Sequence, residues 1–144
     1  MFLGTYQGIL SPKHRVAVPK KFLSQLSKTV IIAKWYEGCL VLISDTGWDA
    51  LLKRLRGSTE IATKPIRDTD RFILGSAFDL VPDEQGRVVI PQPLVIHAGL
   101  GPKIVFIGLG EKVEIWDEAK WQEKEKDVSE HAAELIEEIA NERR

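Results

Sequence analysis

The chain contains a single cysteine, Cys39. One thiol excludes an internal disulfide and any zinc site built from several cysteines. Its three histidines, His14, His97 and His131, stand far apart and offer no pair at helical spacing. No metal and no cofactor is therefore expected. No apolar run approaches the roughly 18 residues of a membrane span, so no bilayer crossing is expected. The opening Met-Phe-Leu-Gly-Thr-Tyr has neither a basic leader nor a long apolar segment, which argues against a signal peptide and for a cytoplasmic protein. Nucleotide-binding signatures are also missing. There is no G-x-x-x-x-G-K-[ST] and no G-x-G-x-x-G, and Gly108-Leu109-Gly110 lacks the third glycine.

One sign of charge is scarce at the front. No Asp or Glu precedes Glu37, yet Lys13, Arg15, Lys20, Lys21, Lys28 and Lys34 lie there. From Asp117 to Arg144 there are ten acidic and five basic side chains, a local charge of −5. The whole chain carries −1, so residues 1–116 carry +4. An anion-facing front and an acidic helix at the back are expected.

What the chain does have, it has twice. Arg15-Val16-Ala17-Val18-Pro19 returns as Arg87-Val88-Val89-Ile90-Pro91. Leu40–Ile43 followed by Trp48 returns as Val113–Trp116 followed by Trp121. From Arg to the later Trp the separation is 33 residues in the first copy and 34 in the second. Two matched blocks at nearly fixed spacing predict a tandem duplication of one small α+β unit, residues 1–64 and 65–144, sharing one compact domain. Two copies are too few for a solenoid.

Along each unit the pattern predicts a strand, a polar turn, a short strand closed by Pro, a short helix, a hairpin and a longer helix. In the first unit these are a strand over 2–10, a turn at 11–14, a strand at 16–18 and a helix over 20–27. A hairpin turns at Tyr36-Glu37-Gly38. Trp48, Leu51, Leu52 and Leu55 then form a helical stripe between the caps Ser44 and Asp45 and the terminating Gly57. Residues 58–70 are a hinge in which Pro65 disfavours helix through Lys64, with a helix beginning near Asp68. Residues 72–81 should repeat the role of the first strand. A second hairpin is expected around Gly108 and Gly110. Asp117 should cap a C-terminal helix with a stripe at Trp121, Val128, Ala132, Leu135 and Ile139, suited to tertiary or subunit packing.

No arrangement for catalysis stands out, so no enzyme and no small-molecule substrate is expected. Ser11 and His14 share a turn, which does not orient a nucleophile and base. Asp83 and Glu84 fit solvated turn residues better than acid–base partners. Cys39 at a strand start fits a buried small hydrophobe. The recurring Arg is different. An Arg just after a tight turn projects a rigid fork that can bond guanine N7 and O6 or phosphate oxygens.

These features resemble the MraZ family of bacterial transcription regulators. The likeness rests on the opening Met-Phe-Leu-Gly, the two turn-Arg-x-x-x-Pro units and the two Trp-ended hairpins. It extends to about residue 140. The resemblance implies an α+β fold, a pseudo-two-fold swapped-hairpin β-barrel of the AbrB type with peripheral helices and a long C-terminal helix. It also implies ring-shaped homo-oligomers, a nucleoid-associated location, and binding of double-stranded DNA at repeated promoter boxes upstream of the division and cell-wall gene cluster. The family turn, Asp-x-x-Gly-Arg, is matched by Asp83, Gly86 and Arg87. The first copy has Ser11 and His14 in place of Asp and Gly, so His14 must take a left-handed conformation or the turn must differ. Lys13, His14 and Arg15 are expected in or beside the major groove, with Lys20 and Lys21 on phosphates. Three roles fit Arg87: a base contact, a brace to Asp83, or a subunit contact. The brace or subunit contact is preferred. The alternative function is a non-enzymatic interaction protein of the same fold, antitoxin-like, binding a partner through its acidic helix.

Overall fold

The computed structural model describes residues 1–57 and 61–143. The fold is α+β. Its strands are β1 (Phe2–Ile9), β2 (Arg15–Ala17), β3 (Val30–Lys34), β4 (Leu40–Ser44), β5 (Phe78–Leu80), β6 (Arg87–Val89), β7 (Lys103–Gly110) and β8 (Val113–Asp117). Its helices are α1 (Lys20–Leu23), α2 (Asp45–Arg56), α3 (Lys64–Ile73), α4 (Gln92–Ala98) and α5 (Glu118–Glu142). Six strands form one antiparallel sheet in the order β1-β7-β8-β4-β3-β5, while β2 and β6 pair as a separate ribbon.

The central strands are near-continuous apolar runs because both sheet faces are covered. Ile32, Leu40, Leu42, Ile104 and Phe106 point toward the ribbon, α1 and α4, and meet Val16, Val88, Phe22 and Leu94 there. Val41, Ile43, Val105 and Ile107 point the other way, against Trp48, Leu51 and Leu52 of α2, Ile73 of α3 and Trp116. The period-two alternation of a strand sorts these neighbours to opposite faces. Each large apolar side chain so buried contributes about 1.5–3 kcal/mol.

Four ladders join the two halves of the chain. β1 pairs with β7 and β5 with β3, so Tyr6 opposes Phe106 as Phe78 opposes Ile32. In the ribbon Val16 faces Val88, with Arg15 opposite Val89 and Ala17 opposite Arg87. Between β4 and β8, Val41 faces Glu114, with Leu40 opposite Ile115 and Leu42 opposite Val113. Each register is unchanged when the corresponding residues of the halves are exchanged.

Several expectations need correction. The helix predicted over 20–27 is one turn, Lys20–Leu23, followed by tight turns in which Gln25 and Leu26 N–H donate to Phe22 and Leu23 carbonyls. Pro65 does not prevent a helix through Lys64. It occupies the first turn of α3, where its missing N–H would have had no helical partner. Phe72–Gly75 is helical and 3₁₀ rather than strand, and only Phe78–Leu80 takes the strand role. On the exposed face of α3, Asp68 pairs with Lys64 at 2.6 Å and with Arg71 at 2.7 Å. The first three hinge positions, 58–60, lie outside the described residues.

The second hairpin turns after Gly110, and Gly108 lies within β7 opposite Gly4. A Cβ at Gly108 would come within 2.6 Å of the Phe2 backbone, so this glycine admits a close strand rather than a phosphate. Asp117 caps α5, accepting from Lys120 N–H at 3.4 Å. Among the described residues, only Trp121 of the α5 stripe packs, tilted against Trp116 at 5.5 Å. Val128, Leu135 and Ile139 are exposed. Among the described residues, no helix is long and apolar enough to cross a membrane.

Candidate nucleic-acid interface

Both polar turns have the same backbone. Ser11 N–H donates to the Arg15 carbonyl at 2.9 Å, and Asp83 N–H donates to that of Arg87 at 2.9 Å. His14 N–H reaches the Ser11 carbonyl at 2.8 Å, as Gly86 N–H reaches that of Asp83 at 2.9 Å. His14 has φ 62 and Gly86 has φ 74. The first turn therefore keeps the geometry of the second, and His14 accepts the left-handed strain that Gly86 avoids.

The side chains at these turns differ. Among the described residues, Ser11 Oγ accepts only the Arg15 backbone N–H, at 3.1 Å. Asp83 Oδ1 accepts from both Gln85 and Arg87 N–H at 2.9 Å, and Oδ2 accepts from Arg87 Nε at 2.9 Å. The Arg87 backbone N–H, then its guanidinium and the Gln85 N–H, hold the Asp83 carboxyl below its ordinary range. Asp83 ties its arginine down as a carboxylate, which suits bracing rather than proton transfer. Arg15 is exposed and makes no ion pair among the described residues.

Alternation along the ribbon buries Val16 and Val88 and turns Arg15, Ala17, Arg87 and Val89 outward. Arg15 and Arg87 are diagonal neighbours on that outer face, about 7–8 Å apart at the backbone. They share a groove of about 540 Å³ with Ile9, Ser11, Pro12, Lys13 and Ala17. The sequence alone did not single out Ile9, Ala17 and Val89, although the two-residue period of the ribbon carries that signal.

Lys20 and Lys21 are not brought to the first turn. Val18 N–H donates to the Gly86 carbonyl at 3.0 Å, and a Cβ at Gly86 would meet Leu23 Cδ2 at 2.5 Å. These contacts seat α1 on the second turn. His14 is half-buried, and its carbonyl accepts from Ile90 N–H at 2.8 Å. Lys13 and Arg15 thus project at one end of the ribbon, and Lys20 and Lys21 lie on the helix seated at the other end.

Cys39 is fully buried, its Sγ donating to the Tyr36 carbonyl at 3.2 Å. Burial, then Glu114 and Glu37, pushes the thiol pKa up, so it packs as a small hydrophobe and is no nucleophile at neutral pH.

Fold and site together define an α+β protein that presents a basic, arginine-bearing ribbon on an antiparallel sheet. A family model described as "MraZ protein, putative antitoxin-like" matches residues 73–143. The chain is 39% identical over 140 residues to the Transcriptional regulator MraZ of Kocuria rhizophila, covering 94% of this chain and 97% of that one. To the protein of the same name from Arthrobacter sp. it is 38% identical over 123 residues, 85% and 86% of the two chains. To that of Acetivibrio thermocellus it is 36% identical over 140 residues, 97% of each. The chain belongs to the MraZ family. The name its relatives share is that of a regulator, not of an enzyme.

Proposed function

We propose that this chain is a non-enzymatic, sequence-specific DNA-binding transcriptional regulator that reads its site with the first turn. The observation that carries the reading is the contrast between an untied Arg15 and an Arg87 tied to Asp83. A free guanidinium on a rigid turn can bond a guanine edge bidentately, while a tied one first has to leave its carboxylate. A two-stranded ribbon, with strands about 4.8 Å apart, is narrow enough for a major groove about 12 Å wide. Lys13 and Arg15 would enter the groove, His14 would hold the turn, and Lys20 and Lys21 would reach phosphates further along. Arg87 braces its turn.

The exchange-symmetric registers support a tandem duplication, 1–64 and 65–144, folded as a swapped-hairpin barrel of the AbrB type. In that arrangement the pseudo-two-fold axis passes through the Val16–Val88 and Val41–Glu114 pairs. The names of the relatives support regulation of transcription. The resemblance to their family extends the proposal to repeated promoter boxes before the division and cell-wall gene cluster, bound by a ring of copies in the cytoplasm at the nucleoid. The exposed acidic helix α5 favours a second reading, a partner-binding protein of antitoxin-like kind. Titrating duplex DNA from upstream of the chain's own gene, against a shuffled duplex, tests the proposal. The native duplex should bind more tightly, with a log–log salt slope of about −0.9 per phosphate neutralised. Equal affinity for both, or a flat salt response, would count against it.

A further inference from the structure

Two uncovered surfaces of this chain complement each other. The first is the ribbon groove, floored by Ile9, which is 68% exposed, and Ala17, and rimmed by Lys13, Arg15 and Arg87. The second is the distal part of α5. Beyond Lys124 every described residue of this helix is exposed. From Asp127 to Glu142 it carries six carboxylates and no Lys or Arg, flanking a stripe of Val128, Leu135 and Ile139. Eighteen residues of helix, about 27 Å, stand clear of the body. A lone helix of that length is marginal in water without a packed face. Like charges oppose pairing of two such helices, and they exclude nucleic acid or an anionic membrane as the cover. A basic groove with an apolar floor matches both the charge and the stripe. Because α5 is unbroken from Glu118 to Glu142, its distal part does not fold back onto its own groove.

We propose that the distal part of α5 of one copy docks in the ribbon groove of a second copy. Its stripe lies on Ile9 and Ala17, and its carboxylates sit beside Lys13 and Arg15. The helix then competes with DNA for Arg15, so this contact, separate from those that close a ring, opposes DNA binding at the groove it fills. The competition rests on the DNA-binding reading; the docking does not.

Mixed disulfide formation tests the docking in the full chain, since native Cys39 is fully buried. An Ile9→Cys chain bearing a size tag is mixed with an untagged Leu135→Cys chain under mild oxidation. A mixed disulfide is expected, well above that from Leu135→Cys with Lys53→Cys, which lies across the sheet on α2. Absence of that excess overturns the proposal whatever the DNA affinity. The second arm is the charge-neutral double variant Leu135→Ser with Ile139→Ser. It should tighten binding to the upstream duplex about three- to tenfold, by raising the fraction of open grooves. A mixed disulfide with unchanged DNA affinity overturns the competition. A mixed disulfide in a protein that binds no DNA supports the docking and counts against the DNA-binding reading instead.

Discussion

Ser11→Asp should turn the first turn into a copy of the second and silence it. The backbone already matches, with corresponding hydrogen bonds of 2.8–2.9 Å and left-handed residues at His14 and Gly86. What Ser11 lacks is the second carboxylate oxygen. At Asp83 that oxygen holds Arg87 Nε at 2.9 Å while the other accepts two backbone N–H groups. An aspartate at position 11 would likewise accept the Arg15 guanidinium. The tied Arg15 then forfeits a bidentate base contact worth about 1–3 kcal/mol, or about a five- to 150-fold loss of affinity per site. The salt slope should also flatten, since the new carboxylate cancels a positive charge at the groove. The melting temperature should hold or rise, because the substitution adds hydrogen bonds the backbone is already placed to donate. Fluorescence anisotropy across a salt series and a thermal melt measure all three. Wild-type affinity with an unchanged salt slope would refute the idea that an untied Arg15 is what binds.

Arg87→Ala should lower the melting temperature by up to about 4 °C, the scale of a weak surface pair in a chain this size. It should cost specificity less than loss of Arg15 does; the reverse order would exchange the roles of the two turns. Glu114→Gln should raise stability at neutral pH. Burial pushes the Glu114 carboxyl above its ordinary value of 4.5, while Oε1 accepts Trp116 Nε1–H at 2.9 Å, a bond that Gln can keep. A raised carboxyl pKa means the folded state holds its proton more tightly, so stability falls as pH rises through the window just above 4.5. Melts between pH 4.5 and 7 should show that fall in the wild type and not in the variant. Light scattering at micromolar concentration should give a closed oligomer well above a dimer, through heterologous contacts between successive copies; a monomer mass would remove the ring and its avidity.

Local chemistry made much of this fold legible. The stripe from Trp48 to Leu55 and the terminating Gly57 mark α2, and Asp117 marks the start of α5. The likeness of the two turns was visible in Arg15 and Arg87, and Asp83 four residues before Arg87 suggested the brace. Other features depend on contacts the sequence does not display. Phe72-Ile73-Leu74 looks like a strand as an apolar run, yet it ends α3 and opens a 3₁₀ turn, with Ile73 alone of the three buried against the sheet. Lys20 and Lys21 lie five and six residues beyond Arg15, but the ribbon carries them to its far end, where Val18 N–H bonds the Gly86 carbonyl. The exposure of the distal α5 stripe was likewise hidden, because an amphipathic pattern shows that a face is apolar and not what covers it.

The most direct test of the account is the ratio of affinities for the native upstream duplex and its shuffled counterpart, measured for wild type and Arg15→Ala at one salt concentration. Wild type should prefer the native duplex, by a ratio that falls toward one in Arg15→Ala while the melting temperature stays unchanged. An Arg15→Ala protein that keeps the full preference would contradict the claim that the first turn reads the DNA.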